Sequence, residues 1–207
     1  DESPSDMLPS GGYPKLWAAI FAKCKPDLRL NETVLEVDYS DEAVKITTSK
    51  GVHYGKKVIS SLPLGVLQSK AVVFKPPLPE KYSTSLFHLQ SGNENKLFVS
   101  FDKPFWKENT LWLNFVTQNK TKSRYQTAYV MPAGNKSILV FFLSGDTNFY
   151  VSNLTKNQLR KDMLRFLSRF IDEDINIRDL HLTNWHLDQF SLGSYTYYRV
   201  GGSRLAI

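Results

Sequence analysis

One candidate for a chemical role is a lysine that begins a strand. Residues 91–96 read Ser-Gly-Asn-Glu-Asn-Lys, and the alternating run Leu-Phe-Val-Ser-Phe follows directly. Lys96 therefore stands between a glycine-containing loop and an apolar strand predicted over 96–101. A cation at such an edge is a candidate site residue, and a solvated lysine at the start of a strand is the alternative.

A second candidate is a group of aromatic side chains in the last part of the chain. Trp185 and Tyr195 are ten residues apart around a turn that contains Gly193, and Tyr197 and Tyr198 come just after them. Large rings beside a flexible turn suit a binding cavity, although core or surface aromatics would have the same pattern. A third candidate is the run 58–67, in which Pro63 ends a strand-like stretch.

The sequence lacks the patterns of several other chemistries. The four histidines, His53, His88, His181 and His186, do not have metal-ligand spacing, so no metal site is predicted. The single cysteine, Cys24, excludes an intrachain disulfide and is expected to be a small buried residue. The sequence contains neither a Gly-x-Ser-x-Gly elbow nor a Gly-x-Gly-x-x-Gly phosphate-binding turn.

Hydrophobic periodicity predicts the elements that would position these residues. The spacing of apolar residues predicts helices near 14–24, 80–90 and 157–171. Alternation and turn residues predict a meander of strands at 33–39, 43–48 and 57–61, and a short strand at 72–74. Further strands are predicted at 96–101, 110–116, 125–131, 137–143 and 180–185. These strands and the three helices do not alternate strictly, which predicts an α+β fold with a mixed, mainly antiparallel sheet flanked by helices.

Composition and charge exclude several classes of protein. The 207 residues are 42% hydrophobic and 13% aromatic, which is enough for a packed core, and no apolar run is long enough for a membrane span. The net charge is +6, but apart from the basic stretch 120–124 the charges are mixed, so no nucleic-acid partner is expected. A single cysteine favours the cytoplasm or a peroxisome over secretion, although four glycosylation sequons leave the compartment unknown. The sequons begin at Asn31, Asn119, Asn135 and Asn153.

Four segments in order, over residues 11–200, resemble the flavin-containing amine oxidases. They are Gly-Gly-Tyr before a helix; the meander ending Val-Ile-Ser-Ser-Leu-Pro-Leu-Gly-Val-Leu, with Phe-Lys-Pro-Pro-Leu-Pro beyond it; Gly92-x-x-x-Lys96 with Phe-Trp soon after; and Trp185-x-x-Asp188-x-Phe-x-x-Gly-Ser-Tyr195. The Gly-Ser-Tyr form is similar to polyamine oxidases and histone demethylases more than to monoamine oxidases.

The resemblance implies a cofactor and a role for each matching residue. FAD would be the cofactor, and Lys96 would lie opposite flavin N5 and hold a water molecule there. Tyr195 would form a wall of the substrate cavity, with Trp185 close by.

The resemblance also implies contacts with the rest of the cofactor. The backbone of Val34 would pair with the adenine, and the stretch from Ser60 to Pro63 would pass near the same nucleotide. The sequence departs from the family in lacking the N-terminal dinucleotide-binding unit and a C-terminal segment. We therefore expect a fragment, with 1–64 part of the FAD-binding domain, 65–182 the substrate domain and 183–207 a return segment.

The expected function of the intact parent is FAD-dependent oxidation of an amine, most similar to polyamine oxidation, with O₂ as the second substrate. Hydrogen peroxide and an imine, which hydrolyses to an aldehyde, would be the products, and the fragment alone would be inactive. Cationic amines need acidic partners, and the sequence offers Glu94 and Asp188, either of which could instead be solvated. The alternatives are a non-catalytic protein that binds a hydrophobic, steroid-like ligand on the same scaffold and a histone-demethylase-like amine oxidase.

Overall fold

The computed structural model describes residues 9, 11–116, 124–132, 134 and 136–202. These residues form eleven strands and five helices. The helices are α1 Tyr13–Cys24, α2 Leu64–Ser69, α3 Glu80–His88, α4 Gly145–Ser152 and α5 Lys156–Leu167. The strands are β1 Val34–Asp38, β2 Val44–Thr48, β3 Val52–Gly55, β4 Val73–Lys75, β5 Leu89–Ser91, β6 Asn95–Phe101, β7 Trp112–Asn114, β8 Thr127–Val130, β9 Ser137–Leu143, β10 Ile177–Leu182 and β11 Thr196–Tyr198. No helix of this described part is long and apolar enough to cross a membrane.

The first sheet has four strands in the order β3-β2-β1-β4. Strands β1, β2 and β3 form an antiparallel meander, and β4 joins β1 in parallel from Glu36 onward. Its small core consists of Val37, Val44 and Val72. A parallel neighbour needs a long connection, and here that connection passes through Pro63 and helix α2.

The second sheet has five antiparallel strands in the order β10-β6-β9-β8-β7. Strand β6 alternates strictly, so that Leu97, Val99 and Phe101 are buried while Lys96 and Phe98 lie on the opposite face. Helix α5 contributes Leu159, Met163, Phe166 and Leu167 to the same core. Strands β5 and β11 form a separate two-stranded pair.

The predicted α+β class with mainly antiparallel sheets is confirmed, but the predicted third strand at 57–61 is wrong. The strand is β3, because a tight turn reverses the chain immediately after β2. Thr48 stabilises this turn by accepting backbone hydrogen bonds from Lys50 and Gly51, each at 3.2 Å, on its hydroxyl oxygen. The short helices α2 and α4 were not predicted, because neither is long enough to show a helical period.

The prediction of a buried Cys24 is also wrong, because this cysteine is exposed. It ends helix α1, none of whose twelve residues is buried. The apolar stripe that predicted the helix is present, with Leu16 and Trp17 45% and 54% exposed. Among the described residues no element covers this stripe. The periodicity therefore predicted the position of the helix correctly, but it did not predict that the apolar face of the helix is exposed.

Candidate active site

A cavity of about 540 Å³ brings together residues from three distant parts of the sequence. Four of the six residues predicted for the site line it: Pro63, Lys96, Trp185 and Tyr195. The cavity lies on the face of the second sheet opposite the α5 core, beside the segment that follows β10.

Strand β6 supplies one wall of the cavity through alternate residues. Glu94, just before the strand, Lys96 and Phe98 all line the cavity, as expected for positions two apart on one face of an extended chain. Both backbone polar groups of Lys96 bond to Thr183. The Lys96 N–H donates to the Thr183 hydroxyl at 2.8 Å, and the Lys96 carbonyl accepts from the Thr183 N–H at 3.0 Å.

The ammonium of Lys96 lies against an aromatic ring. Its Nζ is 5.3 Å from the centroid of the Phe142 ring on the paired position of β9. Lys96 takes part in none of the ion pairs that the described residues form. Its charge is therefore available to a ligand, and the face of Phe142 offers it a weakly attractive surface.

The turn between Trp185 and Tyr195 is fixed by a close approach of two backbones. The N–H of Gly193 donates to the Trp185 carbonyl at 3.0 Å, and the N–H of Gly92 donates to the Tyr195 carbonyl at 2.7 Å. A Cβ atom at Gly193 would collide with the hydroxyl oxygen of Ser91, so only glycine fits there. The turn thus places the two aromatic residues on the rim of one cavity.

The same turn brings Pro63 to the cavity. A Cβ atom at Gly65, near the start of α2, would collide with the backbone carbonyl of Leu192, so the start of this helix abuts the turn. Pro63, two residues before Gly65, therefore reaches the cavity rim.

The structure does not bring Val34 and Ser60 into this cavity. Ser60 is exposed, in a stretch without regular structure between β3 and α2. Val34 begins β1 in the first sheet, where Thr33 exchanges hydrogen bonds with Ser49 on the β2 side. Successive strand residues direct their backbone groups to alternate sides, so the backbone groups of Val34 point away from β2. On that side of β1, β4 pairs only from Glu36 onward.

Sequence reasoning missed one aromatic residue that lines the cavity, Phe98, and one that contacts Lys96 without lining the cavity, Phe142. Phe98 could have been found from the two-residue period of β6, which places it beside Lys96. Phe142 could not, because its contact with Lys96 depends on the register of β6 against β9, which no local pattern specifies. Two of the sequons, at Asn119 and Asn135, and the basic residues 120–123 lie outside the described residues.

Comparison with known proteins identifies the family of this chain. A family profile described as flavin containing amine oxidoreductase matches residues 1–207. Lysine-specific histone demethylase 1 homolog 3 of Arabidopsis thaliana is 26% identical over 97% of this chain, and polyamine oxidase 4 of Oryza sativa subsp. japonica is 29% identical over 94%. The chain spans 13% and 39% of the lengths of these two relatives.

The fold agrees with the same family. A structure of a putrescine oxidase double mutant, from a redesign of cofactor binding, superimposes with a TM-score of 0.76 over 93% of this chain and 43% of its own. At 18% identity this similarity shows the fold alone. Since the family profile covers every residue, the chain belongs to the flavin-containing amine oxidoreductases, whose cofactor is FAD.

Proposed function

We propose that this chain supplies the substrate-facing wall of an FAD-dependent amine oxidase that acts on polyamines. The observation that carries the proposal is the cavity in which Lys96, Trp185 and Tyr195 meet. Lys96 pairs with no acid among the described residues, and the rings of Trp185 and Tyr195 are half-exposed. Together they form a surface for a flat ring with polar edges and for an amine.

The cavity residues fit the ring end of the cofactor better than its phosphate end. Trp185 and Tyr195 are 46% and 60% exposed, so their faces are open to a ligand, and the Lys96 ammonium can donate to a polar ring edge. The pyrophosphate requires a turn of backbone N–H groups, and the sequence has no Gly-x-Gly-x-x-Gly. Lys96 and the two aromatic residues would therefore hold the flavin ring and the substrate.

The bound flavin would supply the two-electron oxidation of the amine with O₂ as the final acceptor, and the overall products would be hydrogen peroxide and an imine, which water hydrolyses to an aldehyde and an amine. The chain's own residues prepare the amine for this step. An apolar, aromatic cavity disfavours the ammonium form, which keeps the reacting nitrogen neutral. Trp185 and Tyr195 orient the C–H bond, and Lys96 would hold a water molecule with its ammonium donors.

Glu94 is the carboxylate best placed to bind a second, charged nitrogen of a polyamine. It lines the cavity two residues before Lys96, and its backbone N–H donates to the Ser194 hydroxyl at 2.8 Å. The other acid considered, Asp188, accepts a hydrogen bond from the N–H of Phe190 at 2.9 Å and so caps its own turn. A polyamine would place one neutral nitrogen near the rings and one ammonium at Glu94.

The variant Glu94→Gln tests this preference in the FAD-loaded protein that carries this chain. Loss of the negative charge should raise KM for spermine about tenfold or more, the value of a charge-assisted hydrogen bond, and leave KM for an apolar monoamine little changed. Glu108→Gln, at an exposed acid outside the cavity, is the matched control. Equal KM changes for both amines would remove Glu94 from substrate binding.

We also propose that the sequence divides among domains as its motifs predict. Residues 1–64 would belong with the FAD-binding domain, 65–182 with the substrate domain and 183–207 with the return toward the first. The first sheet supports the assignment of Val34 to the adenine end, since β1 leaves its Val34 edge uncovered by β4. Strand β4 belongs to the stretch 65–182 but pairs with β1 of the stretch 1–64, so the two stretches contact each other there.

The 207-residue chain alone should neither retain FAD nor turn over, because the phosphate-binding turn is missing from its sequence. The test is the absorbance in the flavin bands after incubation with FAD and desalting. A colourless protein is expected, and a stoichiometric yellow complex would contradict the proposal.

A second candidate function is demethylation of a methylated lysine. It is favoured by the similarity to the Arabidopsis thaliana protein named as a histone demethylase homolog. The chemistry at the cavity would be the same, and the substrate would be a peptide instead of a free amine. Peroxide release with a methylated-lysine peptide, and none with spermine, would select this function.

A further inference from the structure

Two asparagine side chains are fully buried behind the cavity wall. Asn95 is 1% exposed and Asn148 is 0% exposed, and in the described part of the chain the only other buried polar residue is Thr48. Asn95 directly precedes Lys96 on β6, and Asn148 lies in helix α4. Burying an amide is costly unless its polar atoms have partners, so the partners of these two amides determine what they do.

The two amides form one continuous line of hydrogen bonds. The backbone N–H of Trp185 donates to Oδ1 of Asn95 at 2.9 Å. Nδ2 of Asn95 donates to Oδ1 of Asn148 at 2.8 Å. Nδ2 of Asn148 in turn donates to the backbone carbonyl of Asn93. Every link joins a donor to an acceptor, from the segment after β10 through β6 and α4 to the loop before β6.

The ends of this line fix the orientation of both amides. An N–H can only donate and a carbonyl can only accept, so neither asparagine can turn its amide over without losing two partners. His186 Nδ1 lies 3.4 Å and 3.5 Å from the two Nδ2 groups, beside this line of hydrogen bonds.

We propose that Asn95 and Asn148 form a positioning relay that fixes Trp185 relative to Lys96. Alternation along β6 directs the Asn95 side chain into the core and the Lys96 side chain into the cavity. The amide that anchors the Trp185 backbone is thus one residue from the cavity lysine. The relay rests on the proposed function for its purpose, since it sets the separation of two residues assigned to the flavin and the amine.

Hydrogen exchange of the protein that carries this chain tests the relay without any variant. Trp185 lies outside the strands, and the acceptor of its N–H is a side chain. The relay predicts that this amide is protected to the same degree as the neighbouring strand β6. Exchange at the rate of an unprotected amide would overturn the proposal.

The variants Asn95→Ala and Asn148→Ala separate local positioning from general stability. Asn95→Ala should accelerate exchange of the Trp185 amide about tenfold or more relative to helix α5, the effect of losing one buried hydrogen bond. Asn148→Ala leaves the Asn95 bond in place and should accelerate it less. Asn114→Ala, which removes an exposed side-chain hydrogen bond to Thr127 in the same sheet, is the control and should not affect Trp185.

Uniform acceleration across the chain, including α5, would show a merely structural role and overturn the relay. If a variant does not fold, the exchange rate of Trp185 in the unmodified chain still decides. Because hydrogen exchange needs neither flavin nor amine, failure of the relay would leave the proposed oxidation standing, and absence of turnover would leave the relay standing.

Discussion

Lys96 is the residue on which the proposed chemistry depends most. In the FAD-loaded protein that carries this chain, Lys96→Met should retain flavin and slow turnover by about tenfold to a thousandfold, the range for losing one positioned polar group. Methionine is an unbranched side chain of similar length that lacks the ammonium donors, including the cation that lies 5.3 Å from the centroid of the Phe142 ring. Stopped-flow traces of flavin reduction and reoxidation would show which half-reaction slows.

Lys103→Met is the matched control for this prediction. Lys103 is exposed just after β6, so its loss should leave both half-reactions unchanged. If Lys96→Met also left both unchanged, Lys96 would be an ordinary solvated residue of the sheet.

Tyr195 should affect catalysis more than stability. Its side chain is 60% exposed, so Tyr195→Ala removes little core packing. Loss of the ring contact that orients the C–H bond of the amine should lower kcat/KM about tenfold or more, which corresponds to roughly 1.4 kcal/mol. The measurement pairs amine oxidation kinetics with thermal melting of the same variant.

Tyr125→Ala is the contrasting variant. Tyr125 is 2% exposed, and its hydroxyl donates to Asp162 at 2.9 Å. Its truncation should cost about 3–5 kcal/mol, as for other core aromatics. A large melting loss for Tyr195→Ala, with normal kinetics per folded molecule, would place Tyr195 in the core instead of the cavity.

At the level of single residues, the sequence predicted candidates that line the cavity where its signals are local. Lys96 stands beside a glycine-containing loop, and Tyr195 follows a Gly-Ser pair, so both could be named as candidates from their neighbours. Phe142 and the partners of Asn95 could not, because their contacts join strands and segments far apart in the chain.

Helix α5 offers a test of how one element is stabilised. Thr155 and Gln158 form a capping box, in which the Thr155 hydroxyl accepts from the Gln158 N–H at 3.3 Å and the Gln158 side chain accepts from the Thr155 N–H at 2.9 Å. Thr155→Ala should lower the free energy of unfolding by about 1 kcal/mol. Chemical denaturation measures this change.

Thr155→Ser keeps the hydroxyl and is the control for the capping prediction. It should retain most of the stability that the alanine variant loses. Equal losses for the two variants would assign the effect to the lost methyl group rather than to the cap.

At the level of elements, strong periodicity located strands and helices well. The bounds predicted for β9, 137–143, are those of the structure, since its apolar run is continuous and bounded by turn residues. The third strand was misplaced because the turn at Thr48 depends on side-chain hydrogen bonds, not on composition. Helix α1 was found, but its exposure could not be inferred from its own residues.

At the level of the whole molecule, the cavity results from contacts that only the tertiary fold provides. Pro63, Lys96 and Trp185 belong to three separate stretches, joined by the close approaches at Gly65 and Gly193. The motifs indicated that these stretches serve one family function, whereas their meeting in one cavity required the structure.

The most direct test of the proposed function is anaerobic reduction of the FAD-loaded protein by an amine. Addition of spermine should bleach the oxidised flavin bands, and admission of O₂ should restore them with release of hydrogen peroxide. The Tyr195→Ala variant should bleach about tenfold more slowly. Binding of a steroid-like ligand with no bleaching by spermine, a monoamine or a methylated-lysine peptide would contradict the assignment of this cavity to amine oxidation.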